Sequence, residues 1–195
     1  MKKFEDLVIQ RGKELSSITM QFCAEQAGTV AHIADAMVKS VRGGGKVLAL
    51  GNGGSAADAQ HFAAEMVNRF LMERKALPAV ALTTDTSVLT SIANDYSFDQ
   101  IFSRQVEALG REGDVLLAIS TSGVSPNVIR AVEQANALSM TTIAMTGAGN
   151  DRIYSLCDIC MTVSDPSTPR IQEVHHLALH VICEIMEVQL FSHGT

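Results

Sequence analysis

Five short apolar runs, VLAL at 47–50, AVAL at 79–82, VLLAI at 115–119, TIAM at 142–145 and ICMTV at 159–163, alternate with longer stretches of helical periodicity. Each run is apolar almost throughout rather than at every second residue, the pattern of a strand covered on both faces. Such strands, separated by helices, build a parallel sheet between two helical layers. The sequence therefore reads as a three-layer α/β domain. Helices are expected at 56–73, within 85–109, at 126–138, in a short turn near 151–156, and from about 168 to 192.

Ahead of the first run, residues 1–41 carry helical periodicity, with Val30, Ile33, Ala34, Met37 and Val38 at i, i+3, i+4 spacing, and end at RGGGK. Two helices are expected there, as an N-terminal extension. That pair and the late segment HHLALHVICEIMEVQLF are more apolar than one core requires, so subunit packing and a homo-oligomer are expected. At 195 residues the chain suits one domain over 1–195. Within it, 1–41 would serve oligomer packing and 42–195 would form the α/β core with the C-terminal helix.

A formal charge of −6 lacks the basic excess that nucleic-acid binding needs, so no nucleic-acid partner is expected. A small anion remains compatible, because backbone N–H groups bind phosphate without net positive charge. No apolar run approaches the ~20 residues of a membrane span. The start, MKKFEDLVIQRGKELS, has acidic residues where a signal peptide would be apolar, so no membrane association and a cytoplasmic location are expected. Cys157 and Cys160 have C-x-x-C spacing but sit at the entry to an apolar strand without a second pair, and are read as buried thiols.

Two segments at strand ends have ligand-binding chemistry. GNGGSA at 51–56 follows VLAL, and STSGVSPN at 120–127 follows VLLAI. Glycine admits close backbone approach, hydroxyls donate hydrogen bonds, and the next helix offers free N–H groups. Neither loop ends in GKS or GKT, which disfavours a P-loop; Gly51, Gly53 and Ala56 do fit the G-x-G-x-x-A variant of a dinucleotide site. Ser120, Thr121, Ser122 and Ser125 favour a phosphate monoester, since a dinucleotide site needs no such cluster on a neighbouring strand. Helix capping by Ser55 or Ser125 is the alternative use of single hydroxyls.

Beyond the loops, His61 and Glu65 stand four apart on one expected helix and so share a face. Gln172, His176 and His180 step by four along the last helix, with His175 beside them. A His, a Glu, a Gln and a second His make a nitrogen and oxygen donor set compatible with zinc, Gln being the atypical member. Glu65 lies ten residues beyond Ser55, which is ~15 Å along a helix and comparable to the reach of a sugar phosphate.

GNGGSAADAQHFAAE at 51–65, SIANDYSFDQIFSRQVEALGREGDVLLAISTSG at 91–123 and RIQEVHHLALH at 170–180 resemble the sugar isomerase (SIS) domain family and, within it, the phosphoheptose isomerases. The resemblance covers nearly the whole chain. It implies a five-stranded parallel sheet flanked by helices, assembled as a homotetramer with active sites at subunit interfaces. It puts Asn52, Gly53 and Gly54 against substrate, with Ser55 nearby. It gives Asn94 and Asp95 to the sugar, and Ser120, Thr121, Ser122 and Ser125 to the phosphate. His61, Glu65, Gln172 and His180 fall to a zinc site, one ion per subunit, and Glu65 and His180 match the family's acid/base pair. The chain departs from the pattern at Val124, where Asn is usual, and at Pro169, where some members carry Asp.

The activity so implied interconverts sedoheptulose 7-phosphate and D-glycero-D-manno-heptose 7-phosphate. It needs a base to take a proton beside the carbonyl, a group to stabilise the enediol, and an acid to return the proton. Glu65 and His180 would share those roles. Two other functions fit parts of the sequence: a SIS-fold binding protein that associates with the replication initiator, and an isomerase or sensor for another sugar phosphate. The initiator-associated relative carries Asn where His180 stands, so the donor set here favours the enzyme. Sugar length is not encoded in periodicity or spacing.

Overall fold

The computed structural model describes residues 1–149 and 151–192. In chain order the elements are α1 (Lys2–Arg42), β1 (Val47–Gly51), α2 (Gly54–Val67), β2 (Ala79–Ala81), α3 (Thr86–Asp95), a 3-10 turn (Phe98–Gln100), α4 (Ser103–Leu109), β3 (Val115–Ser120), α5 (Pro126–Ala137), β4 (Thr141–Gly147), α6 (Asp151–Leu156), β5 (Ile159–Val163) and α7 (Thr168–Phe191). The five strands are parallel and ordered β2-β1-β3-β4-β5. The three-layer α/β reading holds, with all five apolar runs in the sheet.

Successive strand side chains point to opposite faces and enter two cores. Val47, Ala49, Leu117, Ile119 and Met145 pack with α1, α2 and α7. Leu48, Leu50, Leu116, Ala118 and Ala144 pack with α4 and α5 on the other face. Apolar residues on both parities of each strand thus explain why the runs lack alternation.

Three boundaries differ from expectation. The two N-terminal helices are one helix of 41 residues, because Gly12 and Gly28 weaken a helix without ending it and no Pro intervenes before Gly43. Its residues from Phe22 onward supply the core, whereas Phe4, Val8, Ile9 and Met20 in its first half are exposed. Helix α2 runs over 54–67 rather than 56–73, because the N–H groups of Phe70, Leu71 and Met72 bond the Glu187 carboxylate instead of earlier carbonyls. Strand β2 keeps only three of the expected residues.

Helix α7 is by length and composition able to cross a membrane. Its apolar girth has another explanation: Ile171, Val174, Ala178, Leu179, Ile182 and Met186 are buried in the first core. Internal packing therefore takes most of the apolar surface that the sequence suggested for subunit contact. Val181 and Val188 remain exposed.

Candidate functional site

Strands β1 and β3 are neighbours although β2 and the helices α2, α3 and α4 separate them in sequence, and Gly51 pairs with Ile119 at their carboxyl ends. From β1 the chain proceeds first to one side of the sheet and then to the other. That reversal opens a crevice where ligands of open α/β sheets bind. Both candidate loops emerge there, side by side.

Asn52, Gly53, Gly54, Ser55, Ser120, Thr121, Ser122, Ser125 and Gln172 line one cavity of about 280 Å³, together with Thr168. Gly53 ends the loop with φ 56° and ψ −119°, a conformation that L side chains resist, and caps α2. Gly54 begins the helix against Gln172: a Cβ there would lie 2.5 Å from Gln172 Nε2. The loop and α7 are thus packed to glycine's dimensions.

Two of the hydroxyls accept from their own loop. Ser120 Oγ accepts from Gly123 N–H at 3.2 Å and Ser122 Oγ from Val124 N–H at 3.4 Å, which leaves each O–H free to donate. Ser125 occupies the N-cap position of α5 without a side-chain cap bond, so capping does not account for it. Among described residues Ser55 likewise caps nothing, being already inside α2, and it is buried. Asn52 and buried Asn127 exchange amide hydrogen bonds of 2.9 and 2.8 Å, tying the two loops together.

Helices α2 and α7 run alongside each other in the same direction, so steps of four on one meet steps of three or four on the other. Gly54 faces Gln172, Asp58 faces His176 with Oδ1 3.4 Å from Nδ1, and His61 Nε2 lies 2.8 Å from His180 Nε2. Glu65 Oε1 is 3.4 Å from His61 Nε2. The ring centroids of His61, His176 and His180 are 4.4 to 5.0 Å apart. One chain delivers both helices, so Gly54 meets Gln172 and His61 meets His180 within a single subunit.

Electrostatics suit a lone-pair site. Burial, then the neighbouring His176 and His61, hold the His180 imidazole below its ordinary pKa, against an opposing pull from Glu65. Neutral imidazole is the form that binds a metal or accepts a proton. Burial raises the Asp58 carboxyl, and its Oδ2 has no partner among the described residues. His61, His176 and His180 bring ligand atoms within 4.8 Å of one another, with the Glu65 carboxylate adjacent. Imidazoles plus a carboxylate are donors that suit zinc, so the residues fit the expected metal.

Gln172 stands at the loop end of the seam, two turns or ~12 Å along α7 from His180. Asn94 and Asp95 are not brought to these loops within one chain. Asn94 Nδ2 donates to Asp95 Oδ1 at 2.8 Å, and Asp95 lines a separate cavity of about 560 Å³ beside β2. His175 is fully buried, its pKa lowered to about 4 by burial, with Nε2 3.4 Å from the Thr146 carbonyl. Packing is therefore its role, whereas His176 joins the cluster. Burial pushes Cys157 and Cys160 up to about 12 and about 11, so neither is a thiolate at neutral pH.

Sequence reasoning missed Asn127, Thr168 and Asp58. Asp58 had a signal, since 58, 61 and 65 share one helix face. Asn127 and Thr168 had none beyond their nearness to loop and helix start.

Residues 12–147 match the model of the SIS domain family. A phosphoheptose isomerase of Desulfovibrio desulfuricans is 52% identical over 187 residues, 96% of this chain and 89% of that protein. The solved phosphoheptose isomerase of Neisseria gonorrhoeae superposes with a TM-score of 0.90 at 45% identity, covering 94% of this chain and 98% of that one. That of Francisella tularensis gives 0.90 at 40% identity, covering 93% and 96%. With the loops, the paired helices and these likenesses together, the chain belongs to the SIS domain family, among the phosphoheptose isomerases.

Proposed function

We propose that the chain interconverts sedoheptulose 7-phosphate and D-glycero-D-manno-heptose 7-phosphate through an enediol, a step of heptose biosynthesis that supplies lipopolysaccharide precursors. The observation that carries this reading is the seam between α2 and α7: neutral donors gather at one end and a Glu–His pair at the other, His61 and His180 being 2.8 Å apart. The phosphate is held by the Ser120, Thr121, Ser122 and Ser125 hydroxyls and by the N–H groups that open α2. The sugar then extends along the seam toward Glu65.

One of Glu65 and His180 takes the proton beside the carbonyl and the other returns it at the adjacent carbon. His180, neutral at pH 7, can accept a proton, and the Glu65 carboxylate beside His61 can do likewise. One zinc ion per subunit would be held by His61, Glu65 and His180 with His176 adjacent, whereas Gln172, the remaining member of the expected set, lies against Gly54 at the loop end of the seam. Bound there, it would polarise the carbonyl and its neighbouring hydroxyl as a Lewis acid.

The working assembly is a cytoplasmic homotetramer with sites at subunit interfaces. Support comes from the exposed apolar first half of α1 and from Asn94 and Asp95, which would reach the sugar from a neighbouring subunit rather than from their own. The test is an assay of purified protein on sedoheptulose 7-phosphate beside fructose 6-phosphate, with and without chelator. Preferred turnover of the heptose, lost with chelator, is expected. Equal turnover of both sugars, or of neither, contradicts the reading.

A further inference from the structure

The segment between α2 and β2 has no secondary structure, yet it is fastened by the most buried ion pair in the described chain. Arg74 and Glu187 side chains are each 1% exposed, with Nε donating to Oε1 at 2.8 Å. Glu187 Oε1 also accepts from Phe70 N–H at 2.9 Å, and Oε2 from the N–H groups of Leu71 and Met72 at 2.8 and 2.9 Å. Arg74 Nη2 donates to the Glu65 carbonyl at 2.8 Å and Nη1 to that of Met66 at 2.7 Å. Burial alone would push the Glu187 carboxyl up, but these donors outweigh it and hold the group below its ordinary value, as a carboxylate.

The pair reaches both members of the proton-transfer site. Through Arg74 it grips the main chain of Glu65 itself. Through Glu187 it fixes the backbone of Phe70, whose ring stacks on His180 at 5.3 Å between centroids and 30° between planes. Glu187 is also on the same helix as His180, two turns further on. A buried ion pair is weak evidence for stability, since apolar side chains of similar volume often serve as well. Directed bonds to Glu65 and Phe70 are something apolar packing could not supply.

We propose that Arg74 and Glu187 are positioning residues for the isomerase, locking the register of α2 against α7 so that Glu65 and His180 address the same pair of carbons. The inference rests on the isomerase reading above. Misplacement of reacting groups by about 1 Å can cost 10²-fold in rate. The phosphate loops lie at the far end of both helices and are not touched by the latch.

The experiment compares the parent with Glu187→Gln and Phe70→Leu, reading kcat and KM for sedoheptulose 7-phosphate, competitive inhibition by inorganic phosphate, and thermal unfolding. Glu187→Gln is expected to lower kcat about 10- to 100-fold, with KM and the phosphate inhibition constant within about twofold. Phe70→Leu, which leaves the ion pair intact, is expected to lower kcat by a smaller factor, about three- to tenfold. A folded Glu187→Gln enzyme with kcat within twofold of the parent overturns the proposal, even if its unfolding temperature falls. If Glu187→Gln yields no folded protein, Phe70→Leu decides: unchanged kcat overturns the proposal, and lowered kcat with unchanged phosphate inhibition sustains it. Failure of the functional reading looks different, because the parent itself would then turn over neither sugar phosphate, or both equally, before any substitution is made, and the proposal falls with it.

Discussion

The two ends of the α2–α7 seam are built from different chemistry. At the loop end, backbone N–H groups and the hydroxyls of Ser120, Thr121, Ser122 and Ser125 surround the cavity, and nothing there titrates near neutrality. At the other end three imidazoles and two carboxylates crowd together, and burial shifts His180 and Asp58 in the direction of their neutral forms. The first end can recognise a dianion at any physiological pH, and the second can move protons. On the proposed function, binding and chemistry are separated along one pair of helices, and substitutions at the two ends should separate KM from kcat.

The largest effect is expected at the imidazole end. His180→Gln should lower kcat by about 10²–10⁴ while changing KM no more than a fewfold. Steady-state kinetics check it, and a matching rise in KM would break the division of labour. Next comes a pH effect on stability. His175 has a folded pKa of about 4 against 6.5 for the free group, so between those values the unfolded chain binds a proton that the folded chain does not. Stability therefore rises with pH across that window and is lost as pH falls from about 6.5 toward 4, by at most about 3 kcal/mol. Urea unfolding at pH 7 and pH 4.5 measures it, and His175→Leu should flatten that slope.

How much of this was legible in sequence follows the same division. The loop end was readable because its chemistry is local: glycines and hydroxyls directly follow apolar runs that could only be buried strands. The other end depends on which helices meet. The stripes 61, 65 and 172, 176, 180 were visible, but their pairing within one chain arises from the strand order, which places α2 and α7 on one face. Asn127 was hidden because its partner, Asn52, lies 75 residues away. The end of α2 was misjudged for a related reason: Met66 to Glu73 reads as helix locally, and a carboxylate from α7 redirects its N–H groups.

Smaller effects belong to the loop end. Ser125→Ala should raise KM about tenfold, the loss of one hydrogen bond to a charged group, with kcat and stability nearly unchanged because Ser125 caps nothing. A large drop in unfolding temperature would instead show a structural role. The smallest effect is expected for Val124→Asn, which restores the residue usual in the family at an exposed position. It should alter KM by less than about threefold, because the side chain is exposed and does not line the cavity between the loops.

The central claim is that Glu65 and His180 transfer the proton through an enediol. Isomerisation of sedoheptulose 7-phosphate in heavy water, followed by mass or NMR analysis of the sugar and repeated with Glu65→Gln, tests it most directly. Solvent deuterium at the carbon beside the carbonyl, together with loss of turnover in Glu65→Gln, is the predicted result. Turnover without solvent deuterium reaching that carbon at any time, together with an active Glu65→Gln enzyme, would contradict it.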